Sequence, residues 1–144
     1  MEEMKARKVD IDRDIGSLSA WHINRGMPYA DLRQLLPANG WIVDNVCAVF
    51  LYLTDSKFVF LDSMVSNPEA SKERRGEGMR LCLDAMVKFC LENDIHVASF
   101  VTNINAVKQH SKEALERHAE HVTCVSGGQG YELFYWVNKE ALVR

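Results

Sequence analysis

Residues 75–80 read Arg-Gly-Glu-Gly-Met-Arg and place two glycines directly before a strongly periodic apolar pattern. A glycine-rich turn that opens a helix can present several backbone N–H groups to a phosphate, and the helix dipole adds partial positive charge at the same end. We therefore interpret residues 75–80 as a candidate binding turn for a phosphorylated ligand.

The apolar pattern after this turn predicts an amphipathic helix that begins at Met79. Its apolar positions recur at the intervals of one helix face, at Met79, Cys82, Leu83, Met86, Val87, Cys90 and Leu91. Ahead of the turn, residues 46–53 are continuously apolar, as in a strand covered on both faces, and residues 58–65 form the next predicted strand. Residues 66–74 are polar and are predicted to be a loop. The candidate turn thus lies between a strand meander and a helix.

The remaining predicted elements complete a mixed domain. Val9 and Ile11 alternate with aspartates as in a short first strand, and Asp14 is the predicted N-cap of a helix that begins near Ile15. The other elements are, in chain order, a helix over residues 29–36, strands over 41–43 and 95–101, a helix over 103–119, and strands over 122–125 and 131–137. This order predicts an α/β (α+β) fold in which about four helices flank a mixed, mostly antiparallel sheet of six to seven strands.

The composition limits the classes of function. The 144 residues correspond to one domain spanning 1–144, and the net charge of −3 offers no positive field for nucleic acid or an anionic membrane. No apolar run approaches the roughly 20 residues that cross a bilayer. The N-terminus lacks the basic-then-apolar order of a signal peptide, and the four cysteines show no C-x-x-C spacing. These features predict a cytoplasmic protein with reduced core cysteines.

The order of elements, with the glycine turn between the fourth strand and the third helix, resembles that of the GNAT N-acetyltransferase superfamily. The family's pyrophosphate-loop signature is Arg or Gln, two residues, Gly, one residue, then Gly or Ala. In the preferred register Arg75 and Gly78 match its first two fixed positions, and Arg80 stands where Gly or Ala is usual. A register two residues earlier would recover Gly76 and Gly78 but would place Glu73 in the Arg or Gln position. The resemblance covers nearly the whole chain.

A second similarity lies at the start of the predicted fourth helix. Family members often carry Asn, two residues, Ala, an aliphatic residue, two residues, Tyr, one residue and Lys. Residues 103–112, Asn-Ile-Asn-Ala-Val-Lys-Gln-His-Ser-Lys, reproduce this pattern with His110 in place of Tyr. The Gly-Phe that usually follows is absent, because Glu113 and Ala114 continue the helical pattern.

The resemblance implies a coenzyme A thioester, acetyl-CoA or another acyl-CoA, lying between the fourth and fifth strands. Its pantetheine would pair with backbone at residues 62–65, and its pyrophosphate would rest on the N–H groups of residues 75–80. Basic side chains nearby would meet phosphate charge. The cofactor-binding residues implied in this way are Met64, Val65, Lys72, Arg74, Arg75, Gly76, Glu77, Gly78, Met79, Arg80 and Asn103. Many relatives are dimers, and the apolar residues 133–137 would be the seam of a homodimer.

Direct acyl transfer to an amine needs a base that leaves the amine neutral and an acid that protonates the departing thiolate. His110 occupies the family's acid position and can donate a proton near neutral pH; the alternative is a half-buried helix residue. Asp62 is the best-placed carboxylate for the base, although strand residues with its alternation usually face solvent. Tyr131 and Tyr135 would line the acceptor side, or else pack in the core or at an edge. Residues 22–31 lie where the family shapes its acceptor pocket.

Two other groups of residues suggest different chemistry. His118, His121 and Cys124 have a loosely metal-like spacing, but no further ligand is evident, so we expect ordinary helix-end residues and no metal. The basic side chains at residues 72–80 are diluted by neighbouring glutamates and have no interleaved aromatic residues, so we expect no nucleic-acid partner.

The sequence therefore predicts an N-acetyltransferase that transfers the acetyl group of acetyl-CoA to an amine of a small molecule, peptide or protein. Two alternatives stay open. One is a catalytically silent relative that binds coenzyme A or serves as a regulatory module. The other is a structural or inhibitory protein that uses the fold to dock a macromolecule.

Overall fold

A computed structural model of the chain describes residues 3–26, 31–102, 112–113, 116–127 and 132–139. Within these ranges the chain forms seven strands and three helices. They are, in chain order, β1 (Ala6–Lys8), α1 (Ile11–Asn24), α2 (Leu32–Leu35), β2 (Asn39–Val43), β3 (Cys47–Tyr52), β4 (Phe58–Ser66), α3 (Lys72–Glu92), β5 (Val97–Thr102), β6 (Val122–Gly127) and β7 (Glu132–Asn138).

The strands form one mixed sheet in the order β1-β2-β3-β4-β5-β7-β6. The pair β4–β5 is parallel, and the other neighbouring strands are antiparallel. The mixed α/β class predicted from the sequence is confirmed. The predicted fourth helix is not, because residues 103–111 and 114–115 lie outside the described ranges; residues 112–113 and 116 are helical.

Helices cover both faces of the sheet, and each face has its own apolar core. On one face the inward stripe of α3, which includes Leu83 and Met86, packs against residues of β2, β3 and β4, among them Val49, Leu51 and Leu61. On the other face α1 and α2 pack against Ile42, Ala48, Phe50 and Val65 through Leu18, Trp21 and Leu32. β3 is therefore buried on both sides, which explains its continuously apolar sequence.

A β-bulge interrupts the ladder between β3 and β4. Phe50 pairs with Asp62 and Ala48 pairs with Val65, so one residue of β3 faces two residues of β4. Ser63, the first of those two, has a φ of 57°, in the left-handed region that side chains other than glycine rarely adopt. A bulge bends its strand and increases the local twist. β4 therefore changes direction at Ser63.

The first strand and first helix begin at different residues from those predicted. The alternating residues Val9 and Ile11 do not form the strand, because the side chain of Asp10 accepts a hydrogen bond from the Asp12 N–H and caps α1. Asp14, the predicted cap, is instead 5% exposed within the helix. Over so short a stretch the alternation of Val9 and Ile11 favours a strand only weakly. The N-cap at Asp10 favours a helix more strongly, so α1 begins at Ile11.

Asp14 is buried because Arg7 of β1 neutralises it. Arg7 Nη1 and Nη2 donate to the two Asp14 carboxylate oxygens at 2.9 and 2.7 Å, and Nη2 also donates to Asp44 at 2.7 Å. Burial alone would raise the pKa of Asp14, but the hydrogen bonds from Arg7 and from the Asp10 N–H bring that pKa below its ordinary value. This ion pair ties β1 to α1.

The third helix also begins earlier than predicted. Ser71 is its N-cap and accepts a hydrogen bond from the Arg74 N–H, so α3 starts at Lys72 and not at Met79. Serine is among the best N-cap residues, and lysine, glutamate and arginine are good helix formers. The two glycines lower helix propensity, but their position inside a 21-residue amphipathic helix allows packing to outweigh that cost.

Asp14→Asn should lower the free energy of unfolding at neutral pH by about 1–3 kcal/mol, because the guanidinium of Arg7 then loses its carboxylate partner. The folded-state pKa of Asp14 is lowered, so its contribution is complete above the unfolded value and disappears as the pH falls through the folded value. The difference between wild type and variant should therefore shrink from about pH 7 to about pH 3 in urea titrations.

The matched control is Asp12→Asn, in the same helical turn. Asp12 is exposed and pairs with the exposed Arg33, so its loss should cost less than about 0.5 kcal/mol at either pH. A difference for Asp14→Asn that is independent of pH would contradict the charge-based explanation.

Candidate functional site

Strands β4 and β5 separate after a short parallel ladder. Pairing joins Phe58, Val59 and Phe60 to Val97, Ala98 and Ser99, and in the described part of the chain the ladder ends there. β4 nevertheless continues to Ser66 and β5 to Thr102. The bulge at Ser63 bends β4 at this same level. The two strands therefore form a wedge that opens toward their carboxyl ends.

The bulge is held by polar contacts on the α1 side of the sheet. The Ser63 N–H donates to Asp62 Oδ1 at 2.7 Å, and the hydroxyls of Ser63 and Tyr52 share a hydrogen bond of 2.8 Å. Ser63 is buried, whereas the Asp62 carboxylate is exposed. These bonds offset the cost of the left-handed backbone and present Asp62 beside the mouth of the wedge.

The C-terminal end of α1 is attached to the same place. Arg25, which follows α1, donates from Nη1 to the carbonyl oxygen of Met64. Met64 is half-buried against the α3 core, and Val65 is fully buried in the core beneath α1. Residues 62–65, whose backbone is predicted to contact the pantetheine, therefore lie on the part of β4 beyond the ladder with β5.

The first turn of α3 provides a helix N-terminus six residues after the end of β4. The first hydrogen bond of the helix runs from the Arg75 N–H to the Ser71 carbonyl, at 2.9 Å. The N–H groups of Lys72 and Glu73 precede it and have no intrahelical acceptor. The side chains of Lys72 and Arg74 are exposed. Backbone donors and positive charge thus coincide at the start of α3.

The predicted phosphate-binding turn at residues 75–80 is wrong as a backbone structure. These residues lie inside α3, where the N–H groups of a helix bond to carbonyls four residues earlier and cannot cradle a ligand. Glu77 is exposed and Met79 is buried, as alternate faces of a helix require. The donors available to an anion are those of Lys72 and Glu73, one turn earlier.

Gly78 allows close contact between the helix and the sheet. A Cβ at this position would lie 2.6 Å from Val46 Cγ1 and 3.0 Å from Cys47 Sγ. Such distances would force α3 away from β3. Gly78 therefore serves close packing between α3 and the sheet.

Arg80 connects α3 to the segment after β5. Its Nη1 lies 3.5 Å from Glu113 Oε2, and its carbonyl oxygen accepts a hydrogen bond from Arg117 Nη2 at 3.2 Å. Eight residues of helix separate Arg80 from Lys72, a rise of about 12 Å. The long side chain that departs from the family signature is therefore remote from the N-terminus of α3 and does not cover it.

Three basic side chains contact Asp84, which lies one turn further along α3. His118 Nε2 lies 2.6 Å from Asp84 Oδ1, while Arg117 Nε and Lys88 Nζ each lie 3.5 Å from a carboxylate oxygen. Burial would raise the pKa of Asp84, but the hydrogen bond from His118 and the positive charges of Lys88 and Arg117 bring that pKa below its ordinary value. His118 thus packs the chain after β5 onto α3. Among the described residues no three side chains are grouped as metal ligands.

Several solved structures with a similar arrangement of strands and helices are acetyltransferases. An aminoglycoside 6'-acetyltransferase type Ii superposes with a TM-score of 0.62 at 15% identity, covering 94% of this chain and 97% of that one. A GNAT-family acetyltransferase from Staphylococcus aureus Mu50 gives 0.55 at 13% identity, with 94% and 99% covered. This chain has the GNAT fold.

A further GNAT-fold neighbour carries the coenzyme. An acetyltransferase from Bacillus subtilis, solved in complex with CoA, gives a TM-score of 0.55 at 11% identity, with 94% of this chain and 99% of that one covered. No family model matches the sequence, and no curated protein matches it. At such identities the likeness concerns the fold alone. None of the described helices is long and apolar enough to span a membrane.

Several predicted site residues of the GNAT fold fall outside the described ranges. Asn103, His110 and Tyr131 are among them, and their roles stay predictions. Tyr135 lies on β7 and pairs with Ser99 of β5 and with Val125 of β6. The backbone of β7 is therefore paired on both sides, so residues 133–137 cannot extend the sheet into a partner subunit as an edge strand would.

Sequence reasoning missed Tyr52 and Ser63. Both read as ordinary strand residues, because a bulge leaves no local signature unless a glycine marks it. Arg25 was included only within a broad acceptor segment. The hydrogen bonds of Tyr52, Ser63 and Arg25 depend on how β4 is registered against β3 and on where α1 ends.

Gly78→Ala should lower the free energy of unfolding by about 1–3 kcal/mol, because the added methyl group overlaps Val46 and Cys47. Gly16→Ala is the matched control. Gly16 also lies within a helix but has no atom within 4 Å of an added Cβ, so alanine should stabilise the protein by about 0.5–1 kcal/mol. Chemical denaturation measures both, and a stabilising Gly78→Ala would show that the helix need not approach the sheet so closely.

Proposed function

We propose that this protein is an acyl-CoA-dependent N-acyltransferase that transfers an acetyl group to an amine. The observation that carries the proposal is the wedge between β4 and β5. There the bulged part of β4 lies beyond the ladder with β5. The backbone N–H and C=O groups on the β5 side of this part do not pair with β5 and can bind a ligand. An extended ligand with amide groups, such as the pantetheine of coenzyme A, can pair with such an edge as an added strand would.

The start of α3 supplies the complementary site for the pyrophosphate. The free N–H groups of Lys72 and Glu73 and the helix dipole attract an anion, and Lys72, Arg74 and Arg75 add positive side chains. Arg75 Nε is buried and has no hydrogen-bond partner among the described residues. A phosphate oxygen would satisfy that donor, so the residues present fit the group. The solved neighbour in complex with CoA supports the same class of ligand.

The reaction forms one bond and breaks another. The neutral amine attacks the thioester carbonyl, the new C–N bond forms, the C–S bond breaks, and the proton lost by the amine ends on the coenzyme A thiol. We assign to His110 the role of the acid that donates a proton to the departing sulfur. We place two further side chains beside the acceptor amine and the proton that it loses. They are Asp62, at the mouth of the wedge, and Tyr131.

One observation favours the alternative of a silent, CoA-binding relative. Because α3 is helical through residues 75–80, it offers fewer free N–H groups than the open turn predicted from the sequence. Such a protein would bind coenzyme A without releasing thiol in the presence of any amine. Homodimer formation stays a prediction under either function.

The double variant Lys72→Ala/Arg74→Ala should weaken acetyl-CoA binding by about tenfold or more, because two cations beside the pyrophosphate are removed. Isothermal titration calorimetry measures the dissociation constant. Both side chains are exposed, so the melting temperature of the unliganded protein should change little. Lys88→Ala is the control: it removes a charge from the same helix, about 24 Å from Lys72, and should leave affinity unchanged. Equal affinities of the wild type, the double variant and Lys88→Ala for acetyl-CoA would exclude the start of α3 as the phosphate site.

His110→Gln should lower kcat by about 100-fold or more while leaving the dissociation constant of acetyl-CoA unchanged, because only protonation of the leaving thiolate is affected. His110→Tyr, which restores the residue usual in the family, should retain most of the activity. Thiol release measured under saturating substrates reports kcat. If His110→Gln and His110→Tyr lose activity equally, or neither loses any, His110 is not the acid.

A further inference from the structure

Beside the wedge, an exposed aromatic surface lies next to a single carboxylate. From this juxtaposition we infer that the acceptor is a primary amine whose carbon skeleton carries an aromatic ring. The inference rests on the proposed function and names the class of amine that the same site would take. The residues that carry it lie on the end of β4 that pairs with β5 and on the strand β3 beside it.

The aromatic surface consists of Phe60 with Phe58 and Tyr52 around it. Phe60 is 49% exposed although it lies in the middle of a sheet, between β3 and β5. Phe58 packs edge-to-face against it with ring centroids 5.2 Å apart and an interplanar angle of 67°. Tyr52 is the cross-strand partner of Phe60. The Phe58 ring and the paired strand β3 hold Phe60 in place, so it offers a preformed surface on which another ring can pack.

This surface lies on the side of the sheet away from α3. Val59 and Leu61 belong to the core under α3, and side chains alternate along a strand, so Phe58, Phe60 and Asp62 project to the opposite face. Ser99, the parallel partner of Phe60, is buried at the last pair of the ladder. The aromatic surface therefore begins at the level where β4 and β5 separate. A thioester carbonyl at the end of the pantetheine would meet the acceptor at this level.

Asp62 supplies the charge that an amine needs. It lies two residues after Phe60 on the same face, a rise of about 7 Å along the strand. One carboxylate oxygen accepts the Ser63 N–H, which fixes the side chain's orientation, and the group remains exposed. If the ammonium group of an amine binds Asp62, an aromatic ring joined to its nitrogen through two carbons would lie over Phe60. That spacing is typical of an arylalkylamine.

The same face disfavours a polyamine. Across β3, β4 and β5 the only acidic residue is Asp62, so these strands provide a single partner for positive charge. On these three strands a second or third ammonium group would lie over Phe60 and Phe58 without a carboxylate, which costs hydration free energy. One cation with an apolar ring matches one carboxylate beside an aromatic surface.

The test compares phenethylamine, butylamine and spermidine as acceptors with acetyl-CoA, using thiol release to obtain kcat/KM. Phenethylamine should exceed both by about tenfold or more, the gain expected from burying most of one ring. Phe60→Ala should remove about tenfold from phenethylamine and less than about twofold from butylamine, since only the ring contact is lost. Asp62→Asn should lower kcat/KM for both amines by about tenfold.

Leu35→Ala is the matched control. Leu35 is an equally exposed apolar residue on α2, whose neighbour Arg33 contacts the start of α1, away from β4. It should leave all three amines within about twofold. If spermidine is the better substrate, or if Phe60→Ala affects phenethylamine and butylamine equally, the inference is overturned and the proposed function stands. Absence of thiol release with every amine overturns both.

Discussion

The left-handed backbone at Ser63 is the constraint on which the candidate site depends. An extra residue in β4 cannot be accommodated in a regular antiparallel ladder, so the strand bends away from β5 after three parallel pairs. The strain of a positive φ at serine is offset by the hydrogen bonds to Tyr52 and Asp62. The same local geometry opens the sheet, exposes the edge of β4 and directs a carboxylate to the mouth of the opening.

Close packing between α3 and the sheet is the second requirement. Gly78 lets the helix approach Val46 and Cys47, and this proximity fixes how closely α3 lies on the sheet. Arg80 and Asp84, further along α3, contact Glu113, Arg117 and His118. The charged residues of α3 therefore have two separate tasks. Those of the first turn are available to an anion, and those of the later turns hold the chain that follows β5.

The helix start illustrates how much of the site could be predicted. The glycines of residues 75–80 and the basic residues before them correctly drew attention to this helix, but the phosphate-binding turn was assigned to the glycines themselves. Ser71 as an N-cap followed by good helix formers was an equally local signal, and it determines where α3 begins. Gly78 lies inside the helix because it packs closely against Val46 and Cys47, a contact between distant residues that the sequence does not show.

Local patterns in the sequence determined most helices and strands of the described chain to within a few residues, and with them the mixed α/β class; the start of α3 lies seven residues before the predicted one. Apolar periodicity and helix capping depend on residues that are close in sequence, so the sequence alone shows them. The register of β4 against β3, the bulge at Ser63, and the pairing of Arg80 with Glu113 were decided only by the tertiary structure. Each of them joins residues distant in sequence, and its free energy exists only after both strands or both segments have packed. The aromatic surface at Phe60 belongs to this second group, because exposure of a strand residue depends on which elements cover the sheet.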